Sequence, residues 1–351
     1  MAVFCQLMHP DQYRVSNWNV MDDPEIAAYW LNLFATFPER FDRQLVEDNL
    51  AGENFGERWR AFRVDYDREL AALQAEAEKA GVLQTIDLTR FRQRLVSKYG
   101  FPDPYEGIKR RENRLAAELY PRIVAQLQAT PPSDRWDLLL RGILAGNMFD
   151  LGSPDTIAMY QRGEVDFLRI LANVPPRPWF VDHADAVRER LARNAWRKAM
   201  FFVDNAGTDI VLGILPLARQ MALCGTRVVL APNSKPALND ITLAELDPLL
   251  DDLSGRDPAL RKLVTGGMLT TVASGGDTPL IDLGQVSEEC NAAAADIDLL
   301  VLEGMGRGVE SNWTEKFKCD VWRVALLKDR AVVKWMRARL FDPVCRFDAK
   351  P

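Results

Sequence analysis

Histidine is almost missing from this chain: only His9 and His183 occur in 351 residues. That excludes His-rich zinc sites and the His-Glu-x-x-His helix, and neither residue sits in a recognisable Ser-His-Asp or Cys-His setting. Cysteine is sparse too. Cys5, Cys224, Cys290, Cys319 and Cys345 form an odd set of five with no Cys-x-x-Cys pair, which fits a reduced chain better than a disulfide scaffold. No apolar run approaches membrane-spanning length, and the start, Met-Ala-Val-Phe-Cys-Gln, has no basic stretch of the kind that opens a signal peptide. A cytoplasmic protein is therefore expected. Excess positive charge is lacking as well: the net charge is −6 and the pI about 5.3, so a nucleic-acid surface is not expected. There is no Gly-x-x-x-x-Gly-Lys-Ser/Thr and hence no P-loop. What these absences leave is oxygen. A metal would have to be held mainly by carboxylates and amides, and proton transfer would rest on carboxylates, lysine or water on a metal.

What is present is a core-forming chain, 48% apolar, long enough for about two domains. Its first half is helical in pattern. Asp23-Pro24-Glu25 opens an apolar-periodic segment to about Phe37, with Asp as cap and Pro in the first turn. Gly56 to Ala80 reads as a long amphipathic helix stopped at Gly81, followed by Leu88 to Tyr99, a helix opening at Asp103-Pro104, and another capped by Ser133 and Asp134. Pro175-Pro176-Arg177-Pro178 marks a boundary, beyond which short strands alternate with helices. Strands are predicted near 199–203, 226–231, 268–272, 297–302, 321–327 and 343–347. The expectation is an α/β fold, a doubly wound, mainly parallel Rossmann-like sheet (181–351), preceded by an all-helical domain (1–180).

Polar residues gather where such a sheet binds ligands, beyond the carboxyl ends of its strands. Met200 to Val203 stops at Asp204 and Asn205, Gly207 permits a tight turn, and Asp209 to Leu223 reads as a helix. The next strand ends in a loop carrying Asn233, Ser234, Lys235, Asn239 and Asp240. Together these suit a hard cation and a phosphate. Taken alone, Asp204-Asn205 could equally be a strand-to-helix turn with Asp204 as cap. The Asn-Ala-Gly that follows the strand also occurs in short-chain dehydrogenases. Here, however, the Tyr-x-x-x-Lys (Tyr105 to Lys109) precedes it, and no glycine-rich fingerprint opens the chain. Glu303-Gly304-Met305-Gly306-Arg307-Gly308 follows another strand, and its glycines allow a close approach to a ligand. Arg307 could fork onto phosphate oxygens. Lys328 ends the strand after that. Gly146 and Asn147, with Asp150, close a helix in the first half.

On these strings the second half resembles the damage-control metal-dependent phosphatases, in the branch marked by Glu-Gly-Met-Gly-Arg. The matching residues are Phe201 to Gly207, Asn233-Ser234 with Pro236 to Asp240, and Glu303 to Arg307. Asp103-Pro104-Tyr105 with Lys109, Glu112 and Asn113, and Ala145-Gly146-Asn147 with Asp150, are similar in the first half. The resemblance implies that Asp204, Asn205 and Asp240 bind a divalent metal (manganese, cobalt or nickel, with magnesium an option). It also implies a phosphate pocket around Arg307, Lys328 and Asn147. Contacts from Gly146, Asp150, Ser234, Lys235, Asn239, Glu303, Gly304, Met305 and Gly306 would complete that pocket. Asp204, Asp209, Asp240, Arg307 and Lys328 are the expected catalytic set. The implied substrate is 4′-phosphopantetheine in intact or oxidised form, a small phosphorylated metabolite. Lys235 departs from the pattern, since a small residue is expected there, and so bears on specificity. Whether water, Asp204 or Asp209 attacks is open at this level, as is the oligomeric state. The competing functions are a regulatory binder of phosphorylated coenzyme A precursors and a carboxyl methyltransferase, although no acidic residue follows a Gly-rich first turn to hold a ribose.

Overall fold

Runs such as Ala199 to Phe202 and Leu299 to Leu302 are apolar at every position, so as strands they must be covered on both faces. The computed structural model describes residues 1–16, 18–47, 52, 54–148 and 166–351 and places both runs at the centre of a seven-stranded sheet. The strands are β1 (Val181–Asp182), β2 (Lys198–Phe202), β3 (Arg227–Ala231), β4 (Leu269–Thr271), β5 (Leu299–Glu303), β6 (Asp320–Leu326) and β7 (Pro343–Asp348). They lie in the order β1-β7-β6-β5-β2-β3-β4. Neighbours are parallel except β6 and β7, which are antiparallel. The expected mainly parallel α/β sheet is therefore what forms. Only β1 was not anticipated, because two residues carry no periodic signal. Strand order reverses between β2 and β5, so the crevice beyond these two strands is the place where such a sheet takes a ligand.

Six long helices come first: α1 (Pro24–Ala35), α2 (Phe37–Glu47), α3 (Phe55–Ala80), α4 (Thr85–Lys98), α5 (Glu106–Ala129) and α6 (Pro132–Gly146). Asp23 caps α1 by accepting from the backbone N–H groups of Glu25 and Ile26, with Pro24 in the first turn. Gly81 ends α3 with φ 67°, a left-handed conformation that glycine adopts without strain. The stretch expected as a single helix from Asp209 divides in two. Asp209–Ile214 is a widened π-type turn, and Leu215–Leu223 continues as α-helix. Pro216 at the junction has no N–H to offer the preceding turn.

Three cores hold the layers together. Helices α1 to α4 bury an aromatic cluster including Trp30, Phe34, Phe37, Phe41, Phe62 and Tyr66, joined by Met305, Val309, Leu327 and Val332. Tyr120 and Ile123 of α5 and Leu139 and Ile143 of α6 pack on one face of the sheet with Phe201, Val203 and Leu230. Phe4 and Leu7 cover the other face with Met200, Phe202, Leu300 and Leu302. Each buried Phe or Leu contributes about 1.5–3 kcal/mol from removal of apolar surface from water. The helical half and the sheet therefore share cores, and the crevice beyond β2 and β5 is roofed by α1, α2 and α4.

Candidate active site

The local geometry follows from where each strand stops. After β2 the chain runs through Val203 to Asp204 and Asn205, then turns at Gly207 (φ 78°). The Gly207 N–H donates to Asn113 Oδ1 on α5 at 2.7 Å, and a Cβ there would sit 2.8 Å from that of Glu112. The loop after β3 is zipped to this turn by backbone bonds from Ile241 N to Asp204 O (3.0 Å) and from Ala206 N to Asn239 O (2.9 Å). That sets Asp240 beside Asn205. After β5, Glu303 faces Asp204, and Gly304 has φ 91°. Any side chain on Gly304 would collide with the Asp204 carboxylate.

Three carboxylates meet behind this opening. One oxygen each from Asp204, Asp209 and Glu303 lies within 4.8 Å of the other two, and all three residues are buried. Asn147, at the end of α6, donates from Nδ2 to Asp209 (2.9 Å), Glu303 (2.9 Å) and Asp204 (3.3 Å). Asn205 Nδ2 donates to Asp209 (2.9 Å) and Asp204 (3.1 Å), and Glu303 accepts from the Asp204 N–H (2.7 Å). Burial, and then the neighbouring Asp204, push the Asp209 carboxyl up to about 6. Burial, then Asp209 and Asp204, raise Glu303 well above the usual carboxylate range. Asp209 Oδ1 is buried with no hydrogen-bond partner among the described residues. Three oxygen ligands that destabilise one another when ionised, one with an unused lone-pair face, fit a hard divalent cation.

Arg307 forms the front of the cluster. Its guanidinium reaches Asp204 through Nη1 and, through Nη2, Asp240 at 2.7 Å and Asn233 Oδ1 at 3.2 Å. Burial opposes its charge, but Asp240 and Asp204 more than compensate and hold it above the usual arginine range. Lys328 Nζ donates to the Asn147 carbonyl at 2.6 Å. Arg307 and Lys328 were both expected at phosphoryl oxygens; the structure places them fully buried among protein groups. Of the metal set that the resemblance implies, Asp204 lies in the three-acid cluster. Asn205 turns its amide donor toward that cluster, and Asp240 stands across Arg307 from it. Asp209 and Glu303, expected as a catalytic and a substrate residue, complete the cluster.

Other expected residues are distributed around it. Gly146 packs against the turn at Asp209, where a Cβ would come within 3.0 Å of the Asp209 Cα. Met305 accepts from the Lys328 N–H through Sδ at 3.4 Å, and Gly306 lines the opening. Asn239 is buried. Ser234 and Lys235 are exposed; Ser234 Oγ accepts from the Gly275 N–H at 2.8 Å, and Lys235 lines a groove beside Tyr105 and Leu238. Asp150 lies outside the described residues. No cysteine enters the site: Cys290, Cys319 and Cys345 are buried, and burial raises their thiols to about 12. His183 pairs through Nδ1 with the Phe347 carbonyl, at β7 and away from the carboxylates.

Sequence reasoning assigned no role to two groups, the first of them noted there only as part of motif strings. Lys109 of α5 is 1% exposed and bonds Asp103 (2.8 Å) and Glu245 (2.7 Å), with the Asp240 carbonyl at 3.4 Å. Burial disfavours its charge, yet Asp103 and Glu245 hold it above the usual lysine range. The second group is the roof. Asp204, Asn205 and Asp240 floor a cavity of about 300 Å3 whose walls include Trp30, Phe34 and Phe37 with Arg40, Arg43 and Arg92. A usable signal existed: Arg92 falls on the stripe Leu88–Arg92–Leu95, and Arg40 and Gln44 on the stripe of Phe37, Phe41 and Leu45. A charge on an apolar stripe points inward.

A doubly wound sheet with carboxylates gathered at its switch point, under an arginine-bearing cavity, defines an α/β protein whose candidate site could take a cation beside an anion. The family pattern of the damage-control phosphatase ARMT1-like domain matches residues 43–344, and the chain belongs to this family. A damage-control phosphatase of Arabidopsis thaliana is 36% identical over 93% of this chain and 90% of its own length. Pantothenate kinase 2 of the same plant is 33% identical over 99% of this chain, which spans 42% of that protein. The 4′-phosphopantetheine phosphatase of Mus musculus is 25% identical over 97% of this chain and 48% of its own length. The fold matches that of a DUF89 family protein from Pyrococcus horikoshii, with a TM-score of 0.58, 16% identity and coverage of 90% and 96% of the two chains. The resemblance drawn from the Glu-Gly-Met-Gly-Arg and Asp-Asn-Ala-Gly strings is thereby borne out.

Proposed function

We propose that the protein is a metal-dependent phosphomonoesterase of the cytoplasm that removes the phosphate from 4′-phosphopantetheine and its oxidised forms. The observation that carries this reading is the buried cluster of Asp204, Asp209 and Glu303, with Asp209 Oδ1 unsatisfied among the described residues, which reaches through Asp204 the floor of a cavity sized for a small metabolite. The phosphatase activity is suggested by the names of the Arabidopsis and mouse relatives, and the substrate by that of the mouse relative alone. No described helix is long and apolar enough to cross a membrane.

Asp204, with Asp209 and Glu303 behind it, would hold the cation, and Asn205 and Asp240 stand beside it as the remaining candidate ligands. A divalent ion bound there supplies polarisation of a phosphoryl oxygen. The chain's own residues supply the rest. Asn147 orients all three acids through one amide nitrogen, so their oxygens face a common point. Arg307 bridges Asp204 and Asp240 and fixes the spacing between them. Asp204 borders the cavity whereas Asp209 lies behind it, which favours Asp204 as the carboxylate that the phosphoryl group meets. The aromatic walls keep bulk water from the reacting group. We further propose that the helical half (1–180) closes this cavity over the catalytic α/β half (181–351).

Hydrolysis of p-nitrophenyl phosphate and of 4′-phosphopantetheine should appear with Mn2+, Co2+, Ni2+ or Mg2+ and vanish with chelator. Tight metal and ligand binding without turnover of either ester would instead mark a regulatory binder.

A further inference from the structure

The two cations at the strand ends are both committed inside the protein. Arg307 is occupied by Asp204, Asp240 and Asn233, and Lys328 by the Asn147 carbonyl. Neither is among the residues that line the cavity, whose positive groups among the described residues are Arg40 and Arg43 of α2 and Arg92 of α4. The Arg92 guanidinium carbon lies 5.3 Å from the ring centroids of both Phe34 and Phe37. It has no hydrogen bond or ion pair among the described residues. Arg40 donates Nη2 to the Leu33 carbonyl at 2.9 Å, while its buried Nε has no partner among the described residues. Both residues are half-buried, and a guanidinium partly withdrawn from water without a carboxylate partner is poised to take an anion. Rings stacked on a guanidinium face leave its N–H edges free, the edges that fork onto phosphate.

We propose that Arg40 and Arg92, from the helical half, are the side chains that grip the phosphoryl group of the substrate, holding it between the roof and the acidic floor. Arg307 and Lys328 serve instead to position the floor. This rests on the phosphatase reading and gives the cavity its polarity, with carboxylates on the floor and guanidiniums in the roof. Arg43, exposed at the mouth, is left for approach of the anion.

The test is calorimetric titration of inorganic phosphate into the full-length protein loaded with Mg2+, comparing wild type with Arg40→Gln, Arg92→Gln and Arg92→Lys. Arg94→Gln serves as the control, its guanidinium lying on the outer face of α4 against Glu69 at 2.7 Å. Each Gln variant should weaken phosphate binding by about tenfold or more, the scale of one charge-assisted hydrogen bond. Arg92→Lys should recover part of this, and Arg94→Gln should bind phosphate as tightly as wild type. Unchanged phosphate affinity in Arg40→Gln and Arg92→Gln overturns the proposal. So does a loss confined to substrates with a second anionic end, which would put these arginines at the far end of the ligand. If Arg92→Gln does not fold, Arg40→Gln and Arg92→Lys decide the matter by the same titration. Because phosphate binding is read without turnover, a wild type that binds phosphate but hydrolyses no ester defeats the phosphatase reading and leaves this inference standing or falling on the titration.

Discussion

Arg307 Nη2 lies 2.7 Å from Asp240 Oδ2, with both side chains at most 2% exposed. This pairing turns the guanidinium away from the cavity and makes it part of the floor. Arg307→Lys should therefore lower activity and stability together. A lysine cannot reach Asp204 and Asp240 at once, and breaking a buried pair costs about 3–5 kcal/mol. A thermal melt beside steady-state kinetics checks it. Lost kcat/KM with an unchanged Tm would show that Arg307 acts on substrate alone.

The raised carboxyl of Asp209 has a pH signature in metal-free protein. Its folded value of about 6 exceeds the ordinary 3.8, so the folded state binds the proton more tightly than the unfolded one. Ionising Asp209 thus destabilises the fold above about pH 6, and the penalty fades as pH falls toward about 4. Asp209→Asn removes it. In chelator, the variant should be more stable than wild type at pH 8, by a few kcal/mol, with the difference closing as pH falls through 6. Denaturant melts at several pH values measure this; a gap that does not vary with pH rules out the ionised Asp209 as its source.

Metal addition should raise the melting temperature of wild type, since a ligand that binds only the folded state stabilises it by mass action. Asp204→Asn should abolish most of that shift. A full shift in Asp204→Asn would place the ion elsewhere.

Lys109→Met should destabilise the protein by about 3–5 kcal/mol, because Asp103 and Glu245 are left facing each other without their shared cation. A triple change with Asp103→Asn and Glu245→Gln should recover part of the loss. Chemical denaturation of the single and triple variants gives the comparison; no recovery would mean that Lys109 acts through its packing.

Gly304→Ala should fold poorly or lose metal binding. Alanine is strained at φ 91°, and its Cβ would displace the Asp204 carboxylate. Gly255→Ala is the control, since a Cβ there meets nothing within 4 Å. Normal metal affinity in Gly304→Ala would show that the Asp204 carboxylate can move aside.

Much of this molecule is local in origin. Apolar runs such as Ala199 to Phe202 specify buried parallel strands, and Asp204, Asn205 and Glu303 lie just past or at strand ends, where the chain order alone sets them on one sheet edge; Asp240 joins them from the loop after β3. Asp23-Pro24 and Gly81 mark helix ends by capping chemistry that needs no distant partner. Other features depend on contacts that adjacent residues do not encode. Arg307 reads as a free phosphate fork until Asp240, 67 positions away, occupies it. Cys224 follows an apolar helical run, yet the end of its helix leaves it exposed. Asn147 joins three carboxylates only because α6 packs on the sheet, and Arg40 and Arg92 face the acids only because the aromatic core of α1 to α4 docks on Met305 and Leu327. Strand and cap signals arise from the backbone's own short-range preferences. The choice of partner for a buried charge is made by close packing of segments remote in sequence, so tertiary structure alone decided which cations support the floor and which face the cavity.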